Sequence, residues 1–273
     1  MNFASPRLIR RLGRSIRITP GHDSFWDDFE SGRWEPDTLS ILDHYVGLDT
    51  LYLDIGAWIG PTLLFAAPRA GHAVGFEPDP VAYTELAANL AANPLPNPIQ
   101  SHRCAVAKRN GVVRMGSDTQ PGDSMSSVLF ADREGGWTTP ARRLDSFEAD
   151  WPVLPHCFAK IDIEGGEFDV LPSMTPLLLR SRATVFLSLH QHFFLKPYLG
   201  RGFLSKLQGE LRLLIRIIRF YPLLRAYPFI YDNELRRLRP TDFLRRRHWR
   251  TTATLLLSHD APPWSVSSAG FSP

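Results

Sequence analysis

Cysteine is scarce in this chain. Its 273 residues include two, Cys104 and Cys157, too few for a disulfide framework and without any metal-ligand spacing. Both read as buried free thiols of a reducing cytosol, with catalysis by either a minor alternative. Long apolar runs are also missing. No stretch of about 18 uncharged apolar residues occurs, so no transmembrane helix is expected. The first residues are basic but lack a continuous apolar stretch, which argues against a secretory signal; a cytoplasmic protein is expected. No internal repeat is found, which argues against solenoids and propellers. What remains is 44% apolar, enough for the core of one α/β domain with additions.

The formal net charge of +3 hides an asymmetry. Residues 1–20 carry five arginines and no acid, and residues 196–250 carry 14 Lys/Arg against four acids. An acidic body therefore lies between two basic ends. Charge of this kind bears on partners rather than on fold.

Leu51-Tyr-Leu-Asp-Ile-Gly-Ala-Trp-Ile-Gly60, followed by Gly75-Phe-Glu-Pro-Asp79, is the most informative segment. An apolar run ends in Asp54, a turn follows with Gly56 and Gly60, and a second apolar step ends in Glu77, 23 residues after Asp54. The pattern reads strand, glycine turn, helix, strand, carboxylate. Such a unit binds an adenosine-containing ligand at the carboxyl edge of a parallel sheet. A pyrophosphate turn is G-x-G-x-x-G, whereas here the spacing is Asp-x-Gly-x-x-x-Gly. An acid before the turn would repel a pyrophosphate but suits the sulfonium and ammonium of S-adenosylmethionine. Glu77 can accept hydrogen bonds from both ribose hydroxyls. The plainer alternative is a buried strand whose two acids cap helices.

A later segment, Ala159-Lys-Ile-Asp-Ile-Glu-Gly-Gly-Glu-Phe-Asp-Val-Leu171, places Lys160, Asp162 and Glu164 on one face of an expected strand. Ionisable groups grouped at the end of an apolar strand are costly to bury without a task. With LDIGAWIG, GFEPDP, MSSVL, RRLDSF and KIDIEGGEFDVL, the chain resembles the FkbM family of S-adenosylmethionine-dependent methyltransferases over roughly Trp34 to His192. Where Trp58 stands the family turn usually carries Asn, and an acid is common where Ser188 stands. The resemblance implies a Rossmann-like class I methyltransferase fold: α/β, with a mostly parallel sheet and a C-terminal antiparallel hairpin. It also implies O-methylation of a hydroxyl on a sugar, a glycan or a secondary metabolite.

Along the chain, residues 1–49 read as a lead-in or cap, 50–260 as the methyltransferase domain, and 261–273 as a flexible tail. Strands are expected at Thr50–Asp54, His72–Glu77, Ile99–Ala107, Cys157–Ile163 and Thr184–His190. Val112–Met115 extends a hairpin, and Phe229–Leu238 and Thr251–Ser258 form the closing pair. Helices are expected at Asp37–Val46, Pro61–Arg69, Pro80–Asn93 and Phe168–Leu179, with a short one from Leu144. Gly116–Ser127 reads as an active-site loop. In the basic amphipathic segment 203–225, Leu204, Leu207, Leu211, Leu214, Ile215 and Ile218 share one helical face and Arg212, Arg216 and Arg219 another. The plain reading is a helix covering the sheet with its arginines in solvent; the sharper one is contact with an anionic membrane or glycolipid.

For the chemistry, Asp54 and Gly56 would hold the methionine end of the donor, Gly60 would shape the turn and Glu77 would hold the ribose. Ser126 and Ser127 are adenine candidates, with a simple polar loop as the alternative. His190, at the carboxyl edge, is the first choice of base and His192 the second. Glu164 and Asp162 could assist, orient an acceptor hydroxyl, or join His190 around a divalent ion, although a metal is not favoured. Lys160 would neutralise these acids, and Glu167 would support a helix N-terminus. Three other functions remain: nucleic-acid methylation along the basic C-terminal third, disfavoured because the arginines are not interleaved with aromatics; a non-catalytic S-adenosylmethionine-binding module; and a nicotinamide oxidoreductase, disfavoured by the turn. The acceptor and the oligomeric state are not written in the sequence.

Overall fold

The chain opens with a hairpin that the sequence reading missed. Arg7–Arg11 (β1) pairs antiparallel with Arg14–Ile18 (β2) and turns through Leu12 and Gly13, both at positive φ. Arginines mask its alternation, yet Ile9, Ile16 and Ile18 all point inward. The computed structural model describes residues 6–117, 119–132, 135–198, 200–232, 234–245 and 254–261. Helices Asp23–Ser31 (α1) and Pro36–Tyr45 (α2) follow; Trp26, Phe29, Leu39 and Leu42 anchor them in the core.

Alternation then begins as expected with Thr50–Ile55 (β3), Pro61–Ala66 (α3), His72–Phe76 (β4), Pro80–Ala91 (α4) and Ile99–His102 (β5). Proline opens α2, α3 and α4, where its fixed φ suits the first turn and its missing N–H costs nothing. All residues of β3 and β4 are buried, as in strands covered on both faces.

The expected third strand, Ile99–Ala107, is two strands. Ala105–Val106 (β6) leaves the main sheet for a smaller one with Gly111–Ser117 (β7), Ser126–Ser127 (β8) and Trp137–Arg142 (β9), in the order β6-β9-β7-β8. β9 was not expected because Pro140 and Arg142 disguise its alternation. It is an interior strand of the smaller sheet: β6 pairs with it in parallel and β7 antiparallel.

His156–Ile161 (β10), Glu167–Arg180 (α5), Thr184–Ser188 (β11), Gln191–Leu195 (α6), Phe203–Ala226 (α7), Phe229–Asp232 (β12), Arg237–Leu238 (β13) and Thr254–Ser258 (β14) complete the fold. The eight-stranded sheet runs β13-β12-β14-β11-β10-β3-β4-β5. Its β11-β10-β3-β4-β5 part is parallel, and β14, β12 and β13 add on antiparallel. This is the Rossmann-like α/β arrangement with an antiparallel C-terminal extension, in which the expected strand Phe229–Leu238 is instead the hairpin of β12 and β13. The chain turns outward in both directions from β3 and β10, so their carboxyl ends form the topological switch point where such sheets bind ligands.

Three expectations need correction. β10 stops at Ile161 and not at Ile163, because Glu164 adopts φ 53° in a turn with Gly165 at 96°. Glu164 is therefore on a loop, not on the strand face that Lys160 occupies. β11 stops at Ser188, which leaves His190 beyond the strand at the N-terminus of α6. In α7 the buried face is Leu213, Ile217, Phe220, Leu223 and Leu224, whereas Leu204, Leu207, Leu211, Ile215 and Ile218 point outward. The plain reading of that segment chose the wrong face because this helix is apolar on two sides. Residues 246–253, within the expected basic connection and the start of its strand, and 262–273, in the expected tail, lie outside the described residues. No helix of the described residues is long and apolar enough to cross a membrane.

Candidate functional site

A cavity of about 750 Å³ opens at the carboxyl ends of β3, β4, β10 and β11, within the size range of small-molecule sites. Gly56, Glu77, Ser126, Asp162, Glu164 and His190 line it. Asp54, Gly60 and Ser127 stand behind the wall. Phe25, Trp34 and Glu35 from the N-terminal helices and their connection close one side.

Gly56 is where the two central strands meet. At φ 88° its α-carbon faces Asp162, and a Cβ there would lie 1.7 Å from the Asp162 carbonyl oxygen. Only glycine allows this approach. Gly56→Ala is therefore expected to displace the Asp162–Gly166 turn and destabilise the fold by about 3 kcal/mol or more, measured by urea denaturation; a loss under about 1 kcal/mol would refute this account.

Glu77 follows β4. Its two carboxylate oxygens accept the backbone N–H groups of Trp58 at 2.8 Å and Asp79 at 2.7 Å. Burial pushes its pKa up to about 8 despite those bonds. Each oxygen keeps a lone pair for a further donor. Trp58 sits at φ 49°, a conformation that asparagine tolerates and tryptophan rarely adopts. Its indole N–H donates to the Gly122 carbonyl at 3.0 Å, and Phe25 packs edge-on at 4.5 Å between centroids. These contacts hold the tryptophan where the resembling family carries Asn.

The loop above the cavity is latched by Asp79. Its Oδ1 caps α4 through Val81 and Ala82, and its Oδ2 accepts from Gly122 N–H and Ser126 Oγ, both at 2.8 Å. Ser126 thus reaches the cavity with its hydroxyl already engaged. Ser127 is fully buried, and its Oγ accepts the Leu129 N–H at 3.1 Å. Asp79 was missed as a latch because the sequence marks it only as a helix cap before proline.

Asp54 is fully buried and receives Thr62 Oγ1 at 2.6 Å, Tyr52 Oη at 3.0 Å and Lys160 Nζ at 3.4 Å. Lys160 also lies 3.4 Å from Asp162. Burial disfavours the ammonium, but the charges of Asp54, Asp162 and Glu35 outweigh it and raise its pKa. Burial likewise opposes the Asp162 carboxylate, yet Lys160 and His190 hold its pKa below the ordinary value, and Ser188 donates to it. Asp162 Oδ1 is buried without a hydrogen-bond partner.

His190 faces three carboxylates. Its Nδ1 donates to Glu167 Oε1 at 2.7 Å, while Nε2 lies 3.4 Å from Glu164 and 3.6 Å from Asp162. Burial works against the imidazolium, but the Glu167 hydrogen bond and the three negative charges push its pKa up to about 9. Burial pushes Glu164 up to about 8, opposed by His190. His190 is thus charged at neutrality rather than a neutral base, as its ordinary pKa had suggested. Glu167 is fully buried at the start of α5 and also accepts the N–H groups of Ile163 and Gly165. It fixes both the turn and the ring, a role beyond helix support. His192 lines the same cavity, its ring 5.9 Å from that of His190. Ligand atoms of Asp162, Glu164 and His190 lie within 4.8 Å of one another, a spacing that could close on a divalent ion with Glu167 orienting the histidine.

No curated protein matches the sequence. Among solved structures, a methyltransferase FkbM from Methylobacillus flagellatus KT is 14% identical, with a TM-score of 0.45, over 85% of this chain and 53% of that one. The tRNA (uracil-54, C5)-methyltransferase of Pyrococcus abyssi, in complex with S-adenosyl-L-homocysteine, is 10% identical at a TM-score of 0.40, over 93% and 44%. Aeropyrum pernix fibrillarin, with bound S-adenosyl-L-methionine, is 9% identical at 0.40, over 94% and 83%. The chain spans about half the length of the first two. Residues 54–219 match the family described as the methyltransferase FkbM domain. That match covers more than half of the sequence, and the chain belongs to the FkbM methyltransferase domain family.

Proposed function

We propose that the chain transfers a methyl group from S-adenosylmethionine to a hydroxyl of a sugar, a glycan or a secondary metabolite. The observation that carries this reading is the pairing, in one cavity, of the buried Glu77 on the β4 side with the Glu164–His190–Glu167 array on the β10 side. Glu77 keeps acceptor capacity suited to ribose hydroxyls. Asp162 Oδ1, buried without a hydrogen bond, suits a cationic donor group. Asp54 acts through Thr62 and Lys160, Gly56 and Gly60 shape the turn, and Ser126 and Ser127 order the loop near the adenine. Residues 1–49 serve as a cap over residues 50–260.

When bound, S-adenosylmethionine supplies an electrophilic methyl group on a sulfonium. Glu77 and Asp162 would hold that donor, and its methyl group would pass to the acceptor oxygen with the sulfur leaving as a neutral thioether. The acceptor proton passes to the Glu164–His190 pair, which titrates as a unit, and Glu167 holds the ring in place. Once the pair has taken that proton, the charged imidazole is balanced by Glu167 and Asp162, and no metal is invoked. O-methylation is favoured over nucleic-acid methylation because Phe25 and Trp34 wall one side of the cavity and, among the described residues, Lys160 is the one lysine or arginine in its lining.

Calorimetric titration with S-adenosylhomocysteine tests the donor half. Micromolar binding is expected, weakened by about a hundredfold in Glu77→Gln, which keeps the shape but replaces one of the two acceptor oxygens with an NH2 that faces a backbone N–H. Failure of the folded wild type to bind would refute the reading. A screen of hydroxylated acceptors, with His190→Gln as the control, then separates an enzyme from a non-catalytic binding module.

A further inference from the structure

Helix α7 is apolar on two sides. Its inner side buries Leu213, Ile217, Phe220, Leu223 and Leu224 and packs on α5 and α6. Its outer side presents Phe203, Leu204, Leu207, Leu211, Ile215 and Ile218, from 43% exposed at Ile215 to 79% at Leu204. Helical periodicity joins these six into one stripe roughly 24 Å long, at 1.5 Å per residue. Scattered exposed apolar residues need no explanation, but a continuous stripe marks a contact surface.

The charges on the same helix say what kind of contact. Lys206, Arg212, Arg219 and Arg225 are exposed, and Glu210 is the helix's one acid. Arg216 is already committed to Asp169, at 3.2 Å, and to the Phe194 ring, at 4.4 Å. A second copy pairing through this face would set these cations against their own images. A nucleic acid would satisfy the cations but leave six apolar side chains against phosphate. An anionic bilayer satisfies both, with acyl chains for the stripe and phosphate for the cations.

We propose that the outer face of α7 docks on an anionic lipid bilayer. The helix lies in the interface; it does not span the membrane. Its link to the cavity is short: Arg216 and Arg212 sit over Phe194 and Tyr198, and α6 begins directly after His190. On the methyltransferase reading, from which this last point takes its meaning, the acceptor is met at a membrane surface.

The test is co-sedimentation of the full chain with vesicles of phosphatidylcholine alone or mixed with phosphatidylglycerol. Binding to the mixed vesicles is expected, with little to phosphatidylcholine alone, and it should fall as salt rises. The triple change Leu207→Glu, Leu211→Glu and Ile215→Glu should abolish it. Lys206→Gln, Arg219→Gln and Arg225→Gln together should weaken it on the order of a hundredfold. These residues are exposed, so both variants should keep the wild-type melting temperature, which separates a lost surface from a lost fold. No vesicle binding by the folded wild type would overturn the proposal. So would a dimer that the glutamate triple converts to monomer without any vesicle binding, or salt-sensitive RNA binding indifferent to that triple. Vesicle binding without S-adenosylhomocysteine binding would leave docking intact and overturn only the catalytic reading.

Discussion

Lys160→Met is expected to lower folding stability by about 3–5 kcal/mol, the cost of removing one partner from a buried ion cluster. Lys160 is 4% exposed and lies 3.4 Å from carboxylates on two different segments, Asp54 on β3 and Asp162 after β10. Methionine fills similar space but leaves both acids without their cation. Their negative charges then face each other with no lysine between them. Urea denaturation at neutral pH measures the loss, and adding Asp54→Asn should restore a large part of it by removing one of the two charges. The sign with pH follows from Asp162. Its folded pKa is depressed in the wild type, so its contribution is present above its unfolded value and is lost as pH falls through the folded one. The variant's deficit should therefore shrink in acid, where the carboxylates protonate and need no partner. A loss below about 1 kcal/mol at neutrality would show that solvent reaches these groups.

The second large effect concerns the rate. Glu164, at about 8, and His190, at about 9, both hold protons at neutral pH. A proton acceptor must be empty to work, so raised values put the active form on the alkaline side. kcat/KM should rise about tenfold per pH unit through neutrality and level off near pH 9. Glu167→Gln keeps the shape of the buried partner but removes its charge. The imidazolium then loses its nearest counter-ion, and the alkaline limb should move toward neutrality by about one unit or more. His190→Gln should abolish that limb. The Glu167 variant also distinguishes positioning from mere structural support: a structural defect lowers the rate at every pH, whereas loss of the counter-ion moves the profile. A wild-type profile that is flat from pH 6 to about 9 would remove the Glu164–His190 pair from the proton path.

Much of the parallel core was legible in the sequence because each of its features has a local cause. β3 is apolar from Leu51 to Leu53, prolines mark the starts of α2, α3 and α4, and Asp54 stands one residue before the end of β3 while Glu77 follows β4. The parts that were missed depend on partners distant in sequence. β1 and β2 are arginine-rich and become strands by pairing with each other and burying three isoleucines. β9 holds a proline and forms only because β6 and β7 flank it. Strand ends were overrun at Ile161 and Ser188 since side-chain alternation persists past the last ladder bond. Within the site, residue types were readable but their protonation was not. A histidine among acids looks neutral in a sequence; only the convergence of Glu164, from the turn after β10, and Glu167, at the start of α5, on a ring that follows β11 makes it cationic. The wrong face of α7 has a similar origin, because periodicity finds an apolar stripe without saying which of two stripes meets the core.

The acid-rich lining has a further consequence for turnover. Of the acids that line the cavity, Asp162 is the one whose pKa is held below the ordinary value, so it keeps its negative charge at neutrality. On the methyl-transfer reading, a positively charged sulfonium enters and a neutral thioether remains after each reaction. The attraction that favours entry is cancelled by the chemistry itself, at the moment the methyl group leaves. The Asp162 carboxylate therefore acts as a one-way bias, favouring the unspent molecule over the spent one without any moving part.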